Sequence, residues 1–160
     1  MEAEDLVKKL ESKMDLPSNH VDVAYINDII DNVVLNPDVD QYIGEQLKGI
    51  AKNCAEAGIS GEAVLDKIYT FGVYMGMQYS KFPQKGGFQG KTFVKGLAKS
   101  DDTRNIEELV QPVVKNPFLG AYVQRQSAEI FNCPPESQIP AVLKLGFLIG
   151  YESDQCGLEN

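Results

Sequence analysis

Few residues in this chain are suited to chemistry, and the sharpest of them close a glycine-rich stretch. Gly86–Thr92 reads GGFQGKT. Its last three residues match the end of a phosphate-binding P-loop, where backbone N–H groups converge on phosphate and Lys and Thr serve the phosphates and Mg²⁺. The pattern fails one step earlier, because the loop requires Gly five residues before Gly90 and Lys85 stands there. It also requires a strand before it, and the residues that precede it carry a helical pattern. Nucleotide chemistry is not expected.

Carboxylates offer the next possibility, metal-assisted hydrolysis by acids converging from facing helices. Asp28 and Asp31 have i, i+3 spacing, and Glu107 and Glu108 occupy the corresponding place later in the chain. No second helix supplies a matching pair, and isolated acids do not make a metal site. Glu-x-x-His, the signature of helical di-iron sites, is absent. His20, the single histidine, falls in a turn, so a Ser-His-Asp or Cys-His triad would rest on it alone, with no nucleophile elbow in the sequence. Cys54, Cys133 and Cys156 are an odd number without CxxC spacing, which argues against a disulfide framework or zinc. They read as small core residues or incidental thiols. No metal and no cofactor is expected.

Charge narrows the partners. The formal charge is −8, yet Lys67–Lys99 holds six lysines and no acid, while the remainder carries nine basic and 23 acidic residues, a net of −14. A basic stretch with Phe82, Phe88 and Phe93 between its lysines could stack on single-stranded nucleic acid. Acidic flanks would repel phosphate, so nucleic acid is an unlikely partner and the stretch reads as a linker along the protein's own acidic surface. The longest uncharged run, Ile68–Ser80, is far short of the roughly 20 apolar residues of a membrane span. MEAEDLVKKL at the start is acidic and lacks an apolar core, so no secretory leader and a cytoplasmic location are expected.

The elements that must position these residues are helices. Glu4–Lys13 is a short amphipathic helix, and Asp15–Asn19, with Pro17, is a break. Val21–Leu35 keeps Ile26, Ile29, Ile30, Val33 and Val34 at helical spacing with Asp22, Asp28 and Asp31 opposite. Asn36-Pro37 then caps and starts a helix that ends near Gly58. Ser60 is the expected cap of the next helix, which runs to about Tyr79 and whose Ile68–Met77 is apolar on nearly all sides, as a central helix is. Its Tyr69, Tyr74, Tyr79, Met75 and Met77 would either fill the core or line a small apolar cavity.

The chain then restarts. Val94-Lys95-Gly96-Leu97 echoes Val7-Lys8-Lys9-Leu10, and Ser100–Asn105 is a second turn cluster. Ile26–Ile50 aligns with Ile106–Ile130 without a gap, and eight of the 25 pairs are identical, where composition alone gives about one or two. Asn36-Pro37 meets Asn116-Pro117, Tyr42 meets Tyr122, and Phe71–Gly76 (FGVYMG) corresponds to Leu145–Gly150 (LGFLIG). The copies differ at Pro112, which should kink or shorten its helix, and at Pro134-Pro135, which stiffens a connection. A repeat this long is an internal duplication. The expected fold is all-α: two copies of a three- or four-helix unit, about 4–80 and 91–154, joined by the linker 81–90 and packed about a pseudo-two-fold axis. Gly72/Gly76 and Gly146/Gly150, each a GxxxG pair, would let two helices meet closely at that axis.

The function expected from these features is that of a non-enzymatic acidic helical adaptor or inhibitor, monomeric or homodimeric, that binds a partner protein. Its contact residues are expected among Asp28, Asp31, Lys85, Phe88, Lys91, Glu107 and Glu108, near the axis or on the acidic faces of Val21–Leu35 and Thr103–Lys115. The alternative is a small-molecule- or metal-dependent helical protein with a pocket at the pseudo-two-fold axis.

Overall fold

The computed structural model describes residues 32–33, 35–81, 89–103, 106–132 and 134–155, and among them every regular element is an α-helix. Glu4–Lys13, most of Val21–Leu35, His20, Asp28, Asp31, Lys85, Phe88, Cys133 and Cys156 lie outside the described residues. The helices are α1 (Pro37–Glu56), α2 (Glu62–Lys81), α3 (Gly90–Thr103), α4 (Ile106–Val114), α5 (Pro117–Phe131) and α6 (Pro135–Gln155).

Local chemistry explains most of their ends. The Asn36 side chain accepts from the N–H groups of Asp38 (3.0 Å) and Val39 (3.4 Å), Pro37 opens α1, and Asp38 and Asp40 lie in its first turn. Two of the helix's orphan donors are thereby satisfied, and both acids favour its positive end. At the far end Gly58 takes φ 72, and the N–H groups of Gly58 and Ile59 donate to the carbonyls of Ala55 (3.2 Å) and Cys54 (2.8 Å). This left-handed closure needs a residue without Cβ. α5 repeats the opening of α1: the Leu119 N–H donates to the Asn116 side chain at 3.2 Å, and Pro117 is the first helical residue.

Three boundaries differ from expectation. Gly61, with φ 65, directly precedes α2, so the chain enters that helix through a left-handed glycine and not through a Ser60 cap. Ser100–Thr103 belongs to α3 and not to a turn. Buried Phe93 and Leu97 fasten α3 to the core, and such packing overrides the weak helix preference of Ser and Asp. α4 continues through Pro112 to Val114. The missing N–H falls in the last turn, where Lys115 still donates to Gln111 (3.0 Å) and Asn116 to Val113 (3.3 Å).

α2 and α6 are the centre. Phe71–Met77 and Leu145–Gly150 are buried at every position, as helices surrounded on all sides must be. α1 packs on α2 and α3, α4 on α2, α5 and α6, and α5 on α6. Where α2 and α6 cross, backbone meets backbone. A Cβ on Gly72 would lie 2.6 Å from the Leu143 carbonyl oxygen and 3.2 Å from the Gly146 Cα, and one on Gly146 would lie 2.5 Å from the Tyr69 carbonyl oxygen. A Cβ on Gly76 would drive into the Phe147 carbonyl, and one on Gly150 into that of Val73. Only glycine permits this approach.

Aromatic packing joins a third helix to the pair. Tyr79 of α2 meets Phe147 and Tyr151 of α6 at ring-centroid distances of 5.6 and 5.8 Å, and Phe93 of α3 edge-on at 6.0 Å. Tyr74, fully buried, donates from its hydroxyl to the Leu97 carbonyl of α3 at 2.9 Å. The tyrosine and methionine side chains of α2 therefore fill the core. No helix among the described residues is long and apolar enough to cross a membrane.

Candidate functional site

Two concave surfaces flank α1. The first is a cleft of about 270 Å³ between α1 and α3, lined by Asp38, Gln41, Tyr42 and Glu45 on one side and Lys91, Val94 and Lys95 on the other. Both sets have the spacing of a single helix face, i, i+3, i+4 and, on α1, i+7. Gly90 fixes the mouth of the cleft: a Cβ there would run into the Asn36 side chain, so the start of α3 abuts the cap of α1. The Tyr74–Leu97 hydrogen bond fixes the other end of the α3 face from beneath.

Charge in this cleft is ordered. Asp38 and Glu45 stand on α1 and exposed Lys91 and Lys95 on α3, with buried Tyr42 and half-buried Val94 between them. Lys91 and Thr92, the GKT residues, lie in the first turn of a helix. The Thr92 hydroxyl donates to the exposed Gln89 side chain at 3.4 Å, and α2 is still helical at Lys81, where a P-loop would have its strand. The basic stretch thus brings at least two of its lysines beside acids of the protein itself, which weakens its field toward phosphate.

The second surface is a groove of about 460 Å³ between α1 and α6, lined by Leu35, Asp40, Ile43, Leu47, Ile139, Pro140, Leu143 and Lys144. Six of these eight are apolar; Leu35 is 75% exposed and Ile139 41%. By spacing alone Ile43 and Leu47 read as core, and Ile139 carries no comparable signal. The available signal was the width of the apolar arc on α1, where Val39, Tyr42, Ile43, Leu47, Ile50 and Cys54 cover more of the helix than one neighbour can bury.

Of the expected contact residues, Lys91 lines the α1–α3 cleft, whereas Glu107 and Glu108 belong to α4, with Glu108 exposed. Asp28, Asp31, Lys85 and Phe88 are outside the described residues. A pocket between Phe71–Gly76 and Leu145–Gly150, the place considered for a ligand at the axis, has no room, because the two backbones touch there. Cys54 is buried. Among the described residues no three or more His, Cys, Asp or Glu side chains gather where a metal ion could bind. Comparison of the chain with protein-family models, curated proteins and solved structures finds no match.

Proposed function

We propose that this chain is a cytoplasmic, non-enzymatic, acidic interaction protein, built from two fused copies of one helical unit, that binds a partner protein through the α1–α3 cleft. The glycine crossing supports the duplication. In the register that pairs Phe71–Gly76 with Leu145–Gly150, Tyr69 corresponds to Leu143 and Val73 to Phe147. Each glycine approaches the carbonyl that corresponds to the one its counterpart approaches, the relation expected of a two-fold contact. The caps support it as well: Asn36 and Asn116 occupy the same place before α1 and α5, each accepts from the N–H three residues on, and each follows a buried valine, Val33 or Val113.

The observation that carries the function is the cleft's charge order: acids on α1, lysines on α3, an apolar floor of Tyr42 and Val94. A partner segment with a basic and an acidic side chain flanking an apolar one would match it. Such complementarity governs specificity and encounter more than raw affinity. The test is parallel affinity capture with the wild-type chain and a Lys91→Glu/Lys95→Glu variant, followed by titration of each differential protein against the purified chain. At least a ten-fold loss of affinity in the variant is expected. Capture profiles that do not differ, beside a nucleotide- or metal-induced thermal shift abolished by Lys91→Ala, would overturn the reading.

A further inference from the structure

We propose that the α1–α6 groove is a self-docking surface, which takes a second copy of this chain related by a two-fold axis. One face carries both halves of such a contact. Leu35, just before α1, is 75% exposed, and Ile139 on the α6 side is exposed as well. Beside them Ile43, Leu47 and Leu143 line an apolar hollow of about 460 Å³. A two-fold contact uses the same patch on both partners, so a face with a projecting apolar side chain and an apolar hollow can match itself. Leu35 of each copy then enters the hollow of the other, and both apolar surfaces leave water.

Charge selects the occupant. The groove has one acid, exposed Asp40 on α1, and one base, exposed Lys144 on α6. A chain of formal charge −8 repels its own kind as a whole, but these two charges cancel, and a two-fold axis sets Lys144 of each copy opposite Asp40 of the other. A partner of uniform sign would meet a like charge here, and such juxtapositions suppress wrong partners. The α1–α3 cleft takes no part: Asp38 lines the cleft and Asp40 the groove, and residues two apart point to opposite sides of a helix. Eight residues line the groove, against roughly 20–30 a side in a standard interface, so the dimer is weak and reversible, with a dissociation constant on the order of 10–100 µM.

The experiment is sedimentation equilibrium of the full chain at low salt, over concentrations about ten-fold below and above that constant. The mass should rise from that of one chain, 17.7 kDa, toward that of two and no further, because a two-fold contact closes. Leu35→Asp should weaken association at least about ten-fold with the far-ultraviolet circular dichroism unchanged, since the side chain it replaces is exposed. Asp40→Lys and Lys144→Asp should each weaken self-association about ten-fold when alone. An equimolar mixture of those two variants should dimerise at least as well as wild type, because each supplies the charge that the other lacks; no contact within one chain gives that rescue. The mass of a single chain at every concentration would overturn the proposal and leave the groove to a small apolar molecule or another protein. A dimer indifferent to Leu35→Asp would move the contact to another face, and growth beyond two chains would refute the two-fold arrangement. A mixture no better than either variant alone would refute the pairing of Lys144 with Asp40 between copies, on which the choice of occupant rests.

Discussion

The crossing of α2 and α6 makes the strongest quantitative demand on this protein, and alanine at Gly72 tests it. Its Cβ would stand 2.6 Å from the Leu143 carbonyl oxygen, where a carbon–oxygen contact of this kind settles near 3.3 Å. The obstacle is backbone, so no rotamer change relieves it, and the helices must part by about 0.7 Å. A gap of that size forfeits a quarter to a half of the dispersion well of the atoms lining it. Overpacking of this sort costs about 1–3 kcal/mol. Alanine's helix preference over glycine returns up to about 1 kcal/mol. Gly72→Ala should therefore lose about 1–2 kcal/mol, and Gly76→Ala or Gly150→Ala about 3 kcal/mol, because their Cβ atoms would intrude further on a carbonyl.

Gly96 supplies the control. It lies exposed within α3, and a Cβ there meets nothing within 4 Å, so Gly96→Ala should gain about 0.5–1 kcal/mol from propensity alone. The same chemical change then has opposite signs at two helical sites. Urea unfolding followed by circular dichroism measures both; with a slope near 2 kcal/mol/M, Gly72→Ala lowers the midpoint by about 0.5–1 M while Gly96→Ala raises it. Gly72→Ala combined with Gly146→Ala should cost less than the sum of the two, by about 1 kcal/mol, because one parting of the helices relieves both contacts. A Gly72→Ala midpoint at or above wild type would refute the account of the crossing.

Three further outcomes follow from named contacts. Tyr74→Phe removes the buried hydroxyl that donates to the Leu97 carbonyl at 2.9 Å, and should cost about 1–2 kcal/mol and speed amide exchange in α3 more than in α5. Asn36→Ala and Asn116→Ala each remove a cap, and each should lower stability by about 1 kcal/mol in urea titrations; a loss at only one would argue against equivalent roles. Lys81 and Asp154 approach to 3.5 Å at the ends of α2 and α6, with Lys81 49% exposed, so Lys81→Ala should change stability by less than about 1 kcal/mol, and less still at high salt.

How far the sequence could be read depended on whether a feature was local. Asn36-Pro37 is a local instruction, and α1 begins at Pro37 with its cap bonded as expected. The unbroken apolar run Ile68–Met77 likewise announced a central helix. Boundaries set by packing were less legible: Ser100–Thr103 reads as a turn by residue type, yet α3 passes through it because Phe93 and Leu97 are held in the core. The candidate site was the least legible part. Lys91 was singled out for its place after Gly90, but that Asp38 and Glu45 face it across α1 and α3 depends on how two helices distant in sequence dock, which no spacing within either helix encodes.

The proposed duplication suggests where function resides in such a chain. Two fused copies must keep what holds them together and are free to diverge elsewhere. The glycines of the crossing and the Asn-Pro caps recur in both copies, and all are structural. Around the α1–α3 cleft the copies part: Asp38 corresponds to Phe118, Gln41 to Ala121 and Glu45 to Arg125, while Tyr42 keeps its counterpart Tyr122. A symmetric pair would carry the same residues at both places; here the residues at corresponding positions differ. If divergence marks the working surface, Glu45→Arg should weaken partner binding at least ten-fold while shifting the urea midpoint little, since Glu45 is exposed and surface changes of this kind usually stay within about 0.5 kcal/mol. Binding unaffected by Glu45→Arg would place the partner elsewhere and return the cleft to the role of a seam between helices.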